Sequence, residues 1–276
     1  MHSNWLLRKL YLLSAKCIKA FAFNETILYK NNYDNDRLRQ KQKTMISVVL
    51  LAYKEADNIR VLLPQLREIM GSLGEEYEII VIDTKEPLDD TSSVCSEFGA
   101  KYYNQNEPGF GGAYRKGIEV ATGDKMLVLD SDGSHDPKFI PAMYERFTEG
   151  YSVVIGSRYI EGGSTSDSKS SQIMSAILNG VFRFFLGLKI KDMSTNFRIY
   201  RLDVLKQLHL TCTNYDVLEE ILLAMNLKMG KKEFSFSEVP ISFHKRIYGE
   251  SKRRLIPFII SYIGTLIRLT FMRIRG

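Results

Sequence analysis

The 276 residues are 45% apolar and 25% charged, an ordinary globular composition with room for one large domain or two small ones and a sizeable core. Cys17, Cys95 and Cys212 are scattered, odd in number and without paired spacing, which argues against a disulfide framework or a zinc site and for a reducing compartment. The net charge of +6 lies at the ends: residues 1–44 hold nine Lys/Arg against three Asp/Glu, and 245–276 hold eight against one, leaving an acidic body. Such ends suit anionic surfaces, and no nucleic-acid partner is expected.

Residues 1–44 read as an extension. Trp5, Leu6, Leu10, Leu13, Cys17, Ile18 and Phe21 fall on one helical stripe, with Arg8, Lys9, Lys16 and Lys19 mostly elsewhere. Charges interrupt every apolar run before it reaches the length of a secretory h-region. A basic amphipathic helix of this kind lies on a membrane surface, packs on its own body or packs on a second copy; the pattern alone does not choose. The polar, aperiodic stretch 29–43 reads as a linker.

From residue 45 strands and helices alternate. Buried strands are expected at ISVVLLA (46–52) and 125–129, further strands at YEIIVID (77–83) and YSVVIGS (151–157) and a short one at 100–103, with helices at 58–70, 91–98, 111–122 and 137–147 between them. This is the rhythm of an open, mostly parallel α/β sheet, which binds ligands outside the carboxyl ends of its strands. At those ends stand Tyr53, Glu55, Asp83, Asp130, Asp132 and Arg158.

The segment KMLVLDSDGSHDP (125–137) organises the rest. Asp130 and Asp132 follow an apolar run, and residues two apart in an extended chain point to one side, so the carboxylates converge. Like charges brought together repel unless a cation lies between them; Mg²⁺ or Mn²⁺, held by one or two carboxylates and completed by water and phosphate oxygens, fits the pattern. A polar turn capping a helix that starts at Pro137, with Ser134 or Asp136 before it, is the plainer alternative. In the loop NEPGFGGAYRKG (106–117) Tyr114 stands where a dinucleotide fingerprint needs its third glycine, so no nicotinamide or flavin site is expected. Gly109, Gly111 and Gly112 would let the backbone pass close to a ligand or a neighbouring helix.

AYKEADNI, IDTKEPLDDT, NEPGFGGAYRKGIEVATGD, DSDGSHDP, GSRYIEGG, DMSTNFRIYR and EVPISFHKRIYGESK occur in order over 46–252. Together they resemble the motifs of family 2 glycosyltransferases, in the branch of dolichol-phosphate mannose synthases and bacterial undecaprenyl-phosphate sugar transferases. The resemblance implies one GT-A domain over 45–252 and metal-dependent, inverting transfer of a sugar from a UDP- or GDP-sugar to a lipid phosphate. It implies that Tyr53 and Glu55 line the nucleotide pocket, that Asp83 and Thr84 border it, and that Asp130 and Asp132 meet ribose and diphosphate through Mg²⁺ or Mn²⁺. Arg158 would face the donor, and Arg246 and Lys252 would hold the diphosphate from a mobile loop. A leaving diphosphate gains charge, so preplaced cations favour the transition state. Glu220 matches a family carboxylate and would serve as general base or as an orienting group. Asp192 and Arg198 fall in the acceptor-side signature or in a structural ion pair.

Two positions depart from the pattern. Thr84 follows Asp83 where the family has paired aspartates, which leaves uracil or guanine undecided. Ala176, in SQIMSAILNGVF with Ser175 and Asn179, stands where an arginine near the acceptor phosphate belongs. Transfer to a sugar hydroxyl of a glycan, or a non-catalytic nucleotide-sugar-binding subunit, are therefore the alternatives. In the terminal helix, 253–276, Arg268 interrupts the apolar run 255–271, leaving an uncharged stretch shorter than the eighteen or so residues of a spanning helix. The expectation is an interfacial helix at the cytoplasmic face of a membrane rather than a clear span, with packing against the chain's own amino-terminal helix or a second subunit of a homo-oligomer as alternatives.

Overall fold

The computed structural model describes residues 44–249 and 255–275. The amphipathic stripe and linker within 1–43, and Lys252, Arg253 and Arg254, lie outside the described residues.

Strands β1 (Met45–Leu51), β2 (Glu76–Asp83), β3 (Lys101–Asn104) and β4 (Lys125–Asp130) pair in parallel in the order β3-β2-β1-β4. The apolar runs 48–51 of β1, 79–82 of β2 and 126–129 of β4 are unbroken because both faces are covered, whereas β3, KYYN at the sheet edge, is part-exposed. Side chains alternate: Val49, Ile80, Ile82, Met126 and Val128 enter one core, and Val48, Leu50, Ile79, Val81, Leu127 and Leu129 the other. Helices α1 (Ala56–Ser72), α2 (Thr91–Glu97) and α4 (Ile140–Thr148) cover the second face. The first is covered by α3 (Gly109–Val120), α5 (Lys169–Leu186), α7 (Val217–Met229) and α8 (Leu255–Arg275).

The sheet continues beyond β4 through β7 (Arg198–Arg201), β5 (Val153–Ser157) and β8 (Phe236–Pro240). Strand β7 is antiparallel to both β4 and β5, so the RIYR of the acceptor-side signature is a reversed strand inserted into a parallel sheet. A short pair, β6 (Ser164–Thr165) with β9 (Ser242–Phe243), lies outside it, and a one-turn helix α6 (Leu202–Leu205) follows β7.

The helix expected over 137–147 opens as a 3-10 turn, Pro137–Phe139, and becomes α-helical at Ile140. Pro141 has no N–H to offer the Pro137 carbonyl, so Ile140 supplies the bond one residue earlier. Asp136 caps this start by accepting from the Lys138 N–H at 3.0 Å.

Candidate functional site

Register brings the strand ends level: Leu51 pairs with Ile82 on one side and Asp130 on the other. The chain leaving β1 passes Tyr53, half exposed, and Lys54, whose φ of 57° is the only positive value at a non-glycine among the described residues. A lysine in the left-handed region signals strain held by its surroundings, as at functional turns. It delivers Glu55 to the amino end of α1, where Asn58 donates to Glu55 Oε2.

Beyond β4, Ser131 points inward and its hydroxyl donates to the Leu51 carbonyl at 2.8 Å. Asp130 and Asp132, one residue to either side, therefore share the opposite side. Asp132 Oδ1 accepts from the Ser134 N–H at 3.0 Å and its hydroxyl at 2.6 Å, a closed turn around Gly133. Gly133 has φ +77°, and a Cβ there would lie 2.4 Å from Ile247 Cδ1. Asp130 Oδ1 accepts from Asn196 Nδ2 at 3.1 Å, and the Asp130 N–H donates to His135 Nδ1 at 3.0 Å. Burial pushes the His135 imidazole down to about 3, so it is neutral at ordinary pH.

Residues 244–248 cross this edge. Arg246 Nη2 donates to Glu55 Oε1 at 2.8 Å and lies 3.3 Å from Asp132 Oδ2. The crossing segment is fixed by the Ile247 N–H on the Asp132 carbonyl at 3.0 Å and the Tyr248 N–H on Asn58 Oδ1 at 2.9 Å. Glu55, Asp132 and Arg246 thus meet, with Asp130 beside them. Asp130 and Asp132 side chains are 32% and 25% exposed, open to a ligand. Among the described residues no group of three or more His, Cys, Asp or Glu would hold a metal unaided. Two part-exposed carboxylates completed by water and phosphate oxygens are the donor set a hard divalent cation accepts, so the residues fit Mg²⁺ or Mn²⁺.

Asp83, at the end of β2, is fully buried. Its Oδ1 accepts from the Thr84 N–H at 2.7 Å and its Oδ2 from the Tyr102 hydroxyl at 3.0 Å. Burial nevertheless raises its pKa, outweighing both bonds. Thr84, half-buried, turns its hydroxyl onto the Glu86 carbonyl at 2.7 Å.

Two other expected site residues are occupied elsewhere. Arg158 grips Asp192 in a bidentate pair, Nε to Oδ2 at 2.8 Å and Nη2 to Oδ1 at 2.9 Å, and also donates to Ser194 Oγ at 3.0 Å. Its side chain is 8% exposed between Tyr159 and Phe243. Burial works against the Asp192 charge, yet Arg158 holds this carboxyl below its ordinary range. Glu220, on α7, is buried, and its oxygens accept from the Thr211 N–H at 3.0 Å, the Cys212 N–H at 2.9 Å and Arg268 Nη1 at 2.8 Å. Burial opposes ionisation here too, but these donors hold the carboxyl below the usual range. Thr211, Cys212 and Arg268 all lie outside the strand-end cluster. Arg198 is wholly buried and holds the Leu218 carbonyl at 2.9 Å and the Tyr200 hydroxyl at 3.0 Å, besides the Met193 carbonyl. Asn179 anchors the same segment, accepting the Met193 N–H at 2.9 Å, while Ala176 is exposed on α5.

The glycines of 109–112 pack against protein. A Cβ at Gly109, Gly111 or Gly112 would sit 2.3, 2.0 or 2.1 Å from the carbonyl oxygens of Thr213, Cys212 and Glu107 respectively. Asn58, His135 and Asn196, which bind the site together, were not singled out from the sequence. They lie inside AYKEADNI, DSDGSHDP and DMSTNFRIYR respectively, where the motif itself was the available signal.

Residues 47–209 match the family described as Glycosyl transferase family 2. The chain is similar to a dolichol-phosphate mannosyltransferase of Pyrococcus furiosus, 31% identical over 216 residues, which are 75% of this chain and 58% of that protein. It therefore spans rather more than half the length of that relative. It is also similar to a polyprenol monophosphomannose synthase of Mycolicibacterium smegmatis, 27% identical over 237 residues, 79% of this chain and 84% of that one. Among solved structures, glucosyl-3-phosphoglycerate synthase from Mycobacterium tuberculosis in complex with Mn²⁺, UDP and phosphoglyceric acid superposes with a TM-score of 0.65 at 21% identity, covering 83% of this chain and 80% of that one. That likeness concerns the fold, which is the expected mostly parallel GT-A α/β architecture.

Proposed function

This chain belongs to glycosyl transferase family 2, and from that premise we propose that it moves one sugar, with inversion, from a UDP- or GDP-sugar to a polyprenyl-phosphate-type acceptor. The carrying observation is the strand-end constellation: Asp130 and Asp132 on one side of the chain, with Arg246 bridging Asp132 and Glu55 at 3.3 and 2.8 Å. Asp130 and Asp132 would hold Mg²⁺ or Mn²⁺. When bound, such an ion offsets the charge a nucleoside diphosphate gains as it leaves. The relative crystallised with Mn²⁺ and UDP supports this assignment.

Tyr53 and Glu55 border the nucleotide, with Asp83 and Thr84 at the base end. Arg246, already on the carboxylates, is placed to pass its guanidinium to diphosphate oxygens, which it suits bidentately. Lys252 is assigned the same role from its motif. Arg158 and Glu220 act indirectly: the first shapes the acceptor wall through Asp192 and Ser194, the second orients residues 211–212. A sugar-hydroxyl acceptor would call for a general base, and the bonds that engage the Glu220 carboxylate count against it in that role. A phosphate acceptor brings its own nucleophilic charge, and the names of both mannosyltransfer relatives agree with it.

For the lipid side, Ile263, Ile267, Phe271 and Ile274 form an exposed stripe on α8, continued by Ile173, Ile177 and Phe184 on α5. The helices meet through the Phe182 and Tyr262 rings at 5.7 Å and an Arg273 bond to the Phe185 carbonyl at 2.7 Å. Arg268 faces Glu220 instead of lipid. Among the described residues no helix is long and apolar enough to cross a membrane. We assign this surface to the cytoplasmic face of a membrane, held peripherally.

The test is transfer by the full chain, screened over UDP- and GDP-sugars with Mg²⁺ or Mn²⁺ and offered polyprenyl phosphate or glycan acceptors. The expected product is a sugar-phosphate-lipid. Transfer to glycan alone, or to neither acceptor, would overturn the reading.

A further inference from the structure

His135 is buried at a junction of three segments, and each of its faces is used. Its Nδ1 accepts the Asp130 N–H at 3.0 Å, closing the turn that carries both aspartates. A backbone N–H can only donate, so the Nδ1 lone pair faces it, and in the neutral ring the proton sits on Nε2. Nε2 lies 3.4 Å from Thr195 Oγ1, an atom that also accepts the Phe197 N–H at 3.3 Å. The ring is flanked by Phe197 and Phe243 at centroid distances of 5.1 and 5.2 Å. Residue 135 also forms an isolated bridge with Phe243, and the His244 N–H donates to the Ser134 carbonyl at 2.9 Å.

Asp130 is thereby reached along two routes. One is direct, through its own amide. The other runs through Thr195 to the adjacent Asn196, whose side chain donates to Asp130 Oδ1 at 3.1 Å. The same turn contains Ser194, which receives Arg158. A flat side chain with an acceptor at one end and a donor at the other spans these segments; a purely packing residue would satisfy neither.

We propose that His135 is a positioning residue for the nucleotide-bound cation, fixing through Nδ1 and Nε2 the direction in which the Asp130 carboxylate is presented. This rests on the reading of Asp130 and Asp132 as the cation's carboxylates. Ligand carboxylates depend on the groups that orient them, and loss of such a group weakens metal binding about 10- to 100-fold.

The two ring nitrogens can be separated. His135→Asn keeps an acceptor near the Nδ1 position, and His135→Gln keeps a polar atom near Nε2. Free Mn²⁺ is followed by electron paramagnetic resonance as it is titrated into full-length protein with saturating UDP or GDP. Exchange of the Asp130 amide and the melting temperature are measured on the same samples. His135→Gln is expected to raise the Mn²⁺ midpoint about 10-fold and to speed Asp130 exchange, whereas His135→Asn stays within about 3-fold of wild type. Thr195→Val removes the partner of Nε2 while leaving the ring and its Nδ1 bond in place, and should match His135→Asn, with the double variant no worse than either single one. Equal midpoints for wild type and all variants would overturn the role of His135 alone. Absence of Mn²⁺ saturation in wild type would remove the cation reading, and this role with it.

Discussion

Two groups of charged residues lie in this domain, and they behave in opposite ways. At the strand ends Asp130 and Asp132 are part-exposed and reached by a guanidinium from a crossing segment. Elsewhere Asp192, Glu220 and Arg198 are at most 1% exposed and bonded to backbone groups and to the side chains of Arg158, Arg268 and Tyr200 respectively. Residue type does not separate the groups, since both are carboxylates and arginines within family motifs. What separates them is where their hydrogen-bond partners come from. A buried charge whose donors are all supplied by the chain is a structural element; a part-exposed pair of like charges has bonding capacity directed outward.

The largest effect should come from breaking the buried group. Asp192→Ala leaves Arg158 buried opposite an empty site, and removing one member of a buried ion pair costs about 3–5 kcal/mol. Urea unfolding followed by circular dichroism should show that loss. A change below about 1 kcal/mol would mean that Asp192 is no more structural than a surface pair.

Asp132→Asn should divide the effects the other way. It keeps shape and the Ser134 bonds but removes the charge opposing a cation. Transfer should fall about 100- to 1000-fold, as for loss of one preorganised electrostatic contact, with little change in melting temperature. Near-wild-type rates with Mg²⁺ or Mn²⁺ would sink the metal assignment.

Acid separates the groups further. The donors around Asp192 and Glu220 hold both carboxyls below their ordinary values despite burial, so each stabilises the fold above the unfolded pKa. That stability is lost as pH falls through the folded value, below the ordinary carboxylate range of about 3.9–4.3. Asp83 has the opposite shift, raised by burial, and does not contribute to this loss. Urea midpoints measured from pH 6 to pH 3 should fall more steeply in wild type than in Glu220→Gln. Parallel curves would show that Glu220 is not ionised in the fold.

The division was only partly legible in the sequence. Parallel strands covered on both faces leave unbroken apolar runs, so β1, β2 and β4 and the polar residues at their ends could be read directly. The partners of Arg158 and Glu220 could not, because they lie far along the chain: Asp192 is 34 residues from Arg158, and Arg268 is 48 from Glu220. A motif reports that a residue is needed, but burial decides whether it is needed by the ligand or by the fold. The reversal of β7 was hidden for a related reason, since a four-residue strand buried between two others has no local mark of direction. Gly109 and Gly111 were legible as a close approach but not as an approach to the 212–213 carbonyls, which only the tertiary fold brings near.

The smallest expected effect is Thr84→Asp, which asks whether the strand-end region tolerates one more charge. Thr84 is half-buried, and the Asp83 carboxylate beside it already accepts the Thr84 N–H. A second carboxylate here adds repulsion to a neighbour whose pKa burial has raised, but its partial exposure to water screens the cost. The melting temperature should therefore drop only slightly, unlike that of Asp192→Ala. In the proposed base pocket the new group is an acceptor able to receive base N–H donors. A charged hydrogen bond is worth about 1.5–3 kcal/mol when fully made, and part-exposure reduces it to roughly 1 kcal/mol, near a 5-fold change. Calorimetric titration of UDP and GDP into wild type and variant, both with Mg²⁺, should show the ratio of their affinities shifting by about that factor. An unchanged ratio with an unchanged melting temperature would place residue 84 outside the base pocket. A large stability loss would put it with the buried charges instead.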